Sequence, residues 1–248
     1  IKYFEVGNEV WHGDHRTVKK VSADEYAKRY LKYYTALKSV DPEIKIGVLF
    51  FKDDWDKKVM SIINDKLDFA VVHVYLSGNW AGKDLSRVDP RRIFSDTLAE
   101  PESYNRKIQE KLKSIRELSG KDLPLAYTEY NSAFQQKEPV PYRHALGTAL
   151  LNAELLRIFM KPENNILMAN YWNFNNSYTG MIANGFDGEY RTISNPYYKR
   201  PNYYVFEMYA KHFGDVLLDV DARSDTYDVS RYPFLKDLVK RLKAGTLI

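Results

Sequence analysis

The chain has 248 residues, a length that suits one large domain. Hydrophobic residues make up 44% and charged residues 28%, so a packed core is expected and extended disorder is not. The net charge of +4 comes from 37 basic and 33 acidic residues that are interspersed, so neither a nucleic-acid partner nor a clustered basic surface is expected. The absence of cysteine excludes disulfides and Cys-ligated zinc but leaves the compartment open, cytoplasmic or secreted. No apolar run reaches the roughly 18 residues of a membrane span.

Short apolar segments alternate with longer amphipathic ones along the chain. This pattern predicts strands at residues 1–7, 44–50, 68–75, 123–129 and 166–174. It predicts helices at residues 22–41, 55–67, 104–118, 142–160 and 202–213. Ser22 and Glu25 form a capping box at the start of the first helix. The strand–helix repetition predicts an α/β fold with a parallel sheet, and no glycine-rich phosphate loop follows any strand, which disfavours nucleotide binding.

The long loops and the two ends of the chain lead to further predictions. Residues 76–102 and 175–200 are predicted as long loops, which in a compact domain often contact substrate. After Gly214 the pattern changes to extended segments with turns. Because the first strand begins at Ile1 without an initiator Met or signal peptide before it, we expect additional chain upstream.

Two glutamates, Glu9 and Glu129, stand at the carboxyl ends of predicted strands. In parallel barrels these strand ends build the active site, so both side chains are expected at one mouth. Glycosidic cleavage needs two carboxyl groups, about 5–5.5 Å apart when the reaction retains configuration. One of them must be held protonated while the other is ionised. For either glutamate alone, a salt bridge to a loop Arg or Lys is an equal alternative.

Three segments resemble the clan A glycoside hydrolases. Gly7-Asn8-Glu9 is similar to the acid/base signature on the fourth barrel strand, and Thr128-Glu129-Tyr130-Asn131 to the nucleophile segment on the seventh. Residues 68–75 resemble the sixth strand. Residues 26–47 and 201–215 resemble the α-L-arabinofuranosidase family within this clan.

The resemblance implies a (β/α)8 TIM barrel, of which this chain covers about strands 4–8, followed by the start of a C-terminal β-sandwich. The implied domains are residues 1–214, the C-terminal part of the catalytic barrel, and residues 215–248, the beginning of the sandwich. Because five strand–helix units cannot close an eight-stranded barrel, residues 1–248 alone are expected to be inactive and either insoluble or self-associated.

The resemblance also implies roles for individual residues. Glu9 is implied as the acid/base and Glu129 as the nucleophile. The expected substrate-binding residues are Asn8 at the sugar 2-hydroxyl, His73 as a polar neighbour, Tyr75 holding the Glu129 carboxylate, Trp172 stacking on a sugar face, and Asn131 orienting a loop. For each of these five, a purely structural role in the core, a cap or a turn remains the alternative. The 20 Tyr and 4 Trp residues fit sugar stacking but equally fit core packing.

The expected function is that of a retaining, exo-acting α-L-arabinofuranosidase on plant-type polysaccharides or oligosaccharides. The alternatives are a β-xylosidase or endo-glycanase of the same clan, or an inactive carbohydrate-binding barrel fragment. No cofactor is expected. No metal is expected either, because His12-Gly13-Asp14-His15 supplies too few fixed ligands for zinc. The expected partner is a carbohydrate substrate. The full-length protein could also form a homo-oligomer.

Overall fold

The structure is a computed structural model that describes residues 1–13, 19–134, 142–176, 178–183 and 197–216, with isolated residues up to 225. The chain divides into two compact units. Unit 1 comprises residues 1–74, 107–129 and 159–170, and unit 2 comprises residues 75–106, 130–158 and the described residues from 171 onward. Most of the predicted sandwich, and the loop residues Asp14 and His15, lie outside the described residues.

Strands and helices alternate along the described chain, as the sequence predicts. The strands are β1 (Tyr3–Glu5), β2 (Lys45–Leu49), β3 (Phe69–Leu76), β4 (Leu125–Ser132) and β5 (Ile166–Tyr171). The α-helices are α1 (Ala23–Val40), α2 (Asp53–Ile63), α3 (Pro90–Ser119), α4 (Leu146–Phe159) and α5 (Pro201–His212). Short 3₁₀ helices lie at Tyr142–His144 and Pro162–Asn164. None of the described helices is long and apolar enough to cross a membrane.

The strands form one sheet in the order β1-β2-β3-β4-β5. Most of the strand residues belong to unit 1. β1 pairs in parallel with β2, and β2 pairs in parallel with β3. Sequential order with a helix between neighbouring strands is the arrangement of successive βαβ units. The α/β class predicted from the alternation is therefore confirmed.

Helix α1 is fixed to the sheet through buried tyrosines. Ser22 caps its first turn by accepting a hydrogen bond from the Glu25 N–H, while the Glu25 carboxylate pairs with Arg29 instead of closing the capping box. The buried Tyr26 hydroxyl donates to the Val6 carbonyl and accepts from the Leu49 N–H, each at 2.9 Å. This single hydroxyl therefore ties the helix to the segment after β1 and to β2.

Two sequence predictions about element bounds are wrong. The predicted loop 76–102 is helical from Pro90 onward, so α3 begins well before residue 104. Proline is favoured in the first turn of a helix, where its missing N–H is not needed, and α3 continues through Pro101. Strand β4 runs on to Ser132, so Glu129 lies inside the strand and three residues before its end. The Ala133 N–H donates to the Leu76 carbonyl, so the hydrogen bonding between β4 and β3 continues to the end of both strands.

Candidate active site

A tight turn after β1 presents Glu9. Gly7 adopts a φ of +90° and Glu9 itself a φ of +42°, in the left-handed region that side chains other than glycine rarely occupy. The Glu9 carbonyl accepts hydrogen bonds from the N–H groups of His12 and Gly13, at 3.1 and 3.3 Å. A strained conformation of this kind costs roughly 1–3 kcal/mol and is found where function requires it. Asn8, directly before Glu9, is exposed.

The two predicted catalytic carboxylates meet at one imidazole. Nδ1 of His73 on β3 lies 2.8 Å from Oε1 of Glu9 and 3.7 Å from Oε2 of Glu129 on β4. One atom from each of the three side chains lies within 4.8 Å of the other two. Glu9 and Glu129 are 120 positions apart in sequence but lie together in unit 1. The short separation fits a retaining pair and is well below the roughly 6.5–9.5 Å of an inverting pair.

The opposite side of the imidazole faces a third carboxylate. Nε2 of His73 lies 3.0 Å from the Thr128 hydroxyl and 3.9 Å from Oε1 of Glu5. Oε1 of Glu5 is buried and has no hydrogen-bond partner among the described residues. The His73 side chain is only 5% exposed, so both of its ring nitrogens are held in the protein by named groups.

Hydrogen bonds, burial and neighbouring charges shift the pKa values of Glu9, His73 and Glu5. The hydrogen bond to His73 holds the pKa of Glu9 below its usual range, and His12 acts in the same direction against the effect of burial. Burial lowers the pKa of His73, but the hydrogen bond to Glu9 and the charges of Glu129, Glu9 and Glu5 outweigh it and leave the pKa raised. Burial raises the pKa of Glu5. In the free site these shifts both favour a proton on His73 over a proton on Glu9.

Aromatic side chains flank this group in unit 1. The Trp11 ring stacks on Phe51 with centroids 4.5 Å apart and planes 3° apart. Trp11 also meets Trp55 and His73 edge to face, at 6.0 and 6.3 Å. His12, one residue further on, places Nε2 at 2.7 Å from Oε2 of Glu9. A carboxylate pair beside an aromatic surface is the combination that sugar-binding sites use, since sugar C–H faces pack on rings.

Glu9, His73 and Glu129 also have the residue types and the spacing to hold a metal ion. Among the described residues, no other group of His, Asp or Glu side chains does. Within this group Nδ1 of His73 lies 2.8 Å from Oε1 of Glu9, a hydrogen-bond distance. In the segment 12–15, considered above for zinc, His12 contacts Glu9. Asp14 and His15 of this segment lie outside the described residues.

Three of the predicted substrate-binding residues come together in unit 2. The rings of Tyr75 and Trp172 meet edge to face, with centroids 6.3 Å apart. The buried Asn131 donates from Nδ2 to the Trp172 carbonyl at 2.7 Å, and its Oδ1 accepts from Asn152 at 3.0 Å. These contacts engage the Asn131 side chain with the backbone at Trp172 and with Asn152. That Asn131 orients the loop after Glu129 stays a prediction. The prediction that Tyr75 holds the Glu129 carboxylate stays a prediction.

Sequence reasoning missed three residues of the site. Glu5 and Thr128 stand within the predicted strands that carry the motif glutamates. The loop that contains His12 was interpreted as solvated or substrate-contacting rather than as a metal site, and no role was predicted for His12 itself. The available signal was the position of a charged residue, Glu5, within an apolar strand, since an unpaired carboxylate is rarely buried without a functional or ionic partner.

Two carboxyl groups this close together on a parallel strand–helix sheet have the spacing that retaining glycosidases use. Comparison with known proteins confirms the resemblance to α-L-arabinofuranosidases. Residues 128–243 match the family model of the α-L-arabinofuranosidase C-terminal domain. The match begins inside β4, next to Glu129, and includes α4, β5 and α5.

Solved structures show the same fold. The chain superposes on an α-L-arabinofuranosidase from Thermotoga maritima with a TM-score of 0.69 and 23% identity, over 91% of this chain and 43% of that one. A thermostable α-L-arabinofuranosidase from Thermotoga petrophila gives a TM-score of 0.69 and 22% identity, with 91% and 43% covered. The five-stranded α/β sheet thus matches part of a TIM barrel.

A curated relative is a β-xylosidase from Geobacillus stearothermophilus, 25% identical over 212 residues, which are 81% of this chain and 39% of the relative. The chain therefore spans about two fifths of the length of the proteins it matches. All three named relatives are glycoside hydrolases by their names.

Proposed function

We propose that this chain carries both catalytic carboxylates of a retaining glycoside hydrolase, an exo-acting α-L-arabinofuranosidase acting on plant-type polysaccharides or oligosaccharides. The observation that carries the proposal is the meeting of Glu9 and Glu129 at His73, with atoms of all three within 4.8 Å. The match to the α-L-arabinofuranosidase family model and the barrel fold of the similar structures support the choice of sugar.

The proposed reaction is a double displacement. The Glu129 carboxylate attacks the anomeric carbon and forms a glycosyl ester, while the bond to the leaving-group oxygen breaks and that oxygen takes a proton from Glu9. Water then attacks the same anomeric carbon, its bond to the Glu129 carboxylate breaks, and Glu9 takes a proton from this water. Two inversions at one carbon retain its configuration.

The proton that Glu9 delivers must first reach it, because the pKa of Glu9 in the free site lies below its usual range. In this proposal the proton comes from Nδ1 of His73, which lies 2.8 Å from Oε1 of Glu9. Movement of this proton from Nδ1 to Oε1 breaks one N–H bond, forms one O–H bond and leaves a neutral imidazole beside a neutral acid. Exclusion of water by a bound sugar favours this neutral form over the ion pair. Glu9 and His73 therefore act as one pair that holds one proton.

The remaining predicted residues take supporting roles in this proposal. Asn8 hydrogen-bonds the sugar 2-hydroxyl, a contact that strengthens in the transition state. Trp172, held edge to face against Tyr75, stacks on a sugar face, and Asn131 fixes the backbone that carries it. We also propose a C-terminal β-sandwich, with which the family match to residue 243 is consistent, and a domain division at residues 214 and 215.

A panel of aryl glycosides tests the function. The protein, made as its gene encodes it, is assayed on 4-nitrophenyl α-L-arabinofuranoside and 4-nitrophenyl β-D-xylopyranoside, with Glu129→Ala and the exposed control Glu25→Gln. We expect faster release from the arabinofuranoside, near-complete loss in Glu129→Ala, and no change in Glu25→Gln. NMR of the first-formed sugar should show a retained anomeric configuration.

The same panel separates the alternatives. Preference for the xyloside selects the β-xylosidase function, which the name of the Geobacillus relative favours. Cleavage of internal bonds in polymeric substrates selects an endo-glycanase. Binding of arabino-oligosaccharides without hydrolysis of any substrate selects a carbohydrate-binding fragment and contradicts the proposed activity.

A further inference from the structure

Glu5 is a charged residue that the proposed reaction leaves without a role. It lies at the end of β1 and directs the buried Oε1 at Nε2 of His73, 3.9 Å away. The Thr128 hydroxyl lies 3.0 Å from Nε2 of His73. Burial raises the pKa of Glu5, and a hydrogen bond with the side chain of Thr128 acts in the opposite direction. His73 thus has one carboxylate on each side, Glu9 at Nδ1 and Glu5 at Nε2.

Among the groups that face Glu5, His73 is the one that can carry a positive charge. Around it are the carboxylates of Glu9 and Glu129, the imidazole of His73 and the phenol of Tyr26 from α1. The Tyr26 hydroxyl is committed to backbone groups, and its pKa is raised by burial, so it stays neutral. No Lys or Arg among the described residues forms an ion pair with Glu5.

The charge of Glu5 bears on the proton that the Glu9–His73 pair holds. When this pair loses its proton it becomes more negative by one charge, whichever of the two atoms held the proton. A nearby carboxylate disfavours that loss and so raises the pH at which it occurs. Glu5 exerts this influence in its ionised form, through Oε1 at 3.9 Å from Nε2 of His73.

We propose that Glu5 is a positioning residue which, together with Thr128, keeps the proton on the Glu9–His73 pair and so sets the upper pH limit of the reaction. This inference rests on the proposed function for its kinetic part. Its structural part concerns only the imidazole of His73 and is measurable without any substrate.

The first measurement is the titration of His73 by NMR of the ¹⁵N-labelled imidazole in the wild-type protein and in Glu5→Gln. The amide of Gln has the shape of the carboxylate without its charge. We expect the His73 pKa to fall by about one unit in Glu5→Gln, since an opposite charge at this range shifts a pKa by one unit or more. The upper limb of the pH profile of kcat/KM, which reports the free enzyme, should move to lower pH by the same amount.

A second pair of variants tests Thr128 and remains informative if Glu5→Gln does not fold. Thr128→Val removes the hydroxyl at nearly constant volume, and the charged imidazole loses its Nε2 acceptor, so the His73 pKa should fall. Thr128→Ser restores the hydroxyl and should restore the titration. Glu25→Gln, an exposed carboxylate on α1, is the control for a general change in net charge and should leave both the NMR and the kinetic titration in place.

Three outcomes overturn the inference. They are an unchanged His73 titration in Glu5→Gln, an NMR shift without a matching shift of the kinetic limb, and equal titrations in Thr128→Val and Thr128→Ser. If the wild-type protein hydrolyses none of the glycosides, the proposed function fails separately. In that case the NMR comparison still decides whether Glu5 holds the proton on His73.

Discussion

Nδ1 of His73 and Oε1 of Glu9 lie 2.8 Å apart, although 64 positions separate these residues in the sequence. The contact joins the turn after β1 to the middle of β3. It makes the proton of the proposed acid a shared property of two side chains, since one pKa is lowered and the other raised by the same hydrogen bond. The consequences for catalysis follow from removing one member of the pair.

Replacement of Glu9 by Ala should separate substrates by their leaving groups. Loss of the acid slows departure of a poorly acidic leaving group by about 10²–10⁴-fold. A nitrophenolate leaves without protonation, so its release should slow far less in the first step. The measurement is kcat/KM across a series of aryl arabinofuranosides of increasing leaving-group pKa, with Glu25→Gln as control. Equal losses across the series would contradict the assignment of Glu9 as the acid.

Much of the fold was predictable from local sequence. The apolar run Phe69–Leu76 predicts a buried strand, and Ser22 followed by Glu25 predicts the start of α1; the structure confirms both. The proximity of Glu9 and Glu129 was also predictable, because parallel strands deliver their following segments to one edge of the sheet. These predictions depend on periodicity, capping and strand direction, which short stretches of sequence encode.

The contacts that tune the site were not predictable in the same way. Glu5 reaches His73 only because the parallel register pairs Glu5 with Gly47, and Gly47 with Phe69 on β3. A shift of one residue in either pairing would turn these side chains to the opposite face, and no local pattern specifies that register. The early start of α3 at Pro90 was missed for a different reason, since a helix containing Pro101 runs against local propensity and is stabilised by tertiary packing.

The Tyr26 hydroxyl should contribute measurably to stability. In Tyr26→Phe the Val6 carbonyl and the Leu49 N–H each lose a hydrogen bond of 2.9 Å. Leaving a buried polar group unsatisfied costs about 1–3 kcal/mol. We therefore expect a lower free energy of unfolding by that amount, measured by urea denaturation. Tyr33→Phe is the matched control, because Tyr33 lies on the same helix and is 58% exposed; equal effects of the two substitutions would refute this account.

Gly47 on β2 should tolerate no side chain. A Cβ at this position would overlap the ring of the buried Phe69 on β3. Overpacking of this kind costs about 1–3 kcal/mol. Gly47→Ala should therefore lower the free energy of unfolding in urea, although alanine is otherwise favoured over glycine in a strand. Gly78→Ala is the control, because nothing lies within 4 Å of its added Cβ. A Gly47→Ala protein as stable as Gly78→Ala would show that Phe69 moves aside without cost.

His144 should make folding stability depend on pH below neutrality. Burial, with the charges of Arg200 and Arg143, lowers the pKa of His144 to about 4, and its Nε2 lies 2.7 Å from the Tyr178 carbonyl. An unfolded chain has a His pKa of about 6.5, so between these values the unfolded state binds a proton that the folded state does not. The contribution of His144 to stability is thus complete above about pH 6.5 and declines as the pH falls towards 4, by at most about 3 kcal/mol.

The substitution His144→Gln isolates this effect from the other groups that titrate in the same range. The Gln amide can still donate to the Tyr178 carbonyl but takes up no proton, so the free energy of unfolding should fall less steeply between pH 6.5 and pH 4 than in the wild-type protein. Urea denaturation at half-unit pH steps gives both slopes. His212→Gln, at the exposed end of α5, should keep the wild-type slope. Identical slopes for wild type and His144→Gln would mean that the folded protein accepts a proton at His144 as readily as the unfolded chain does.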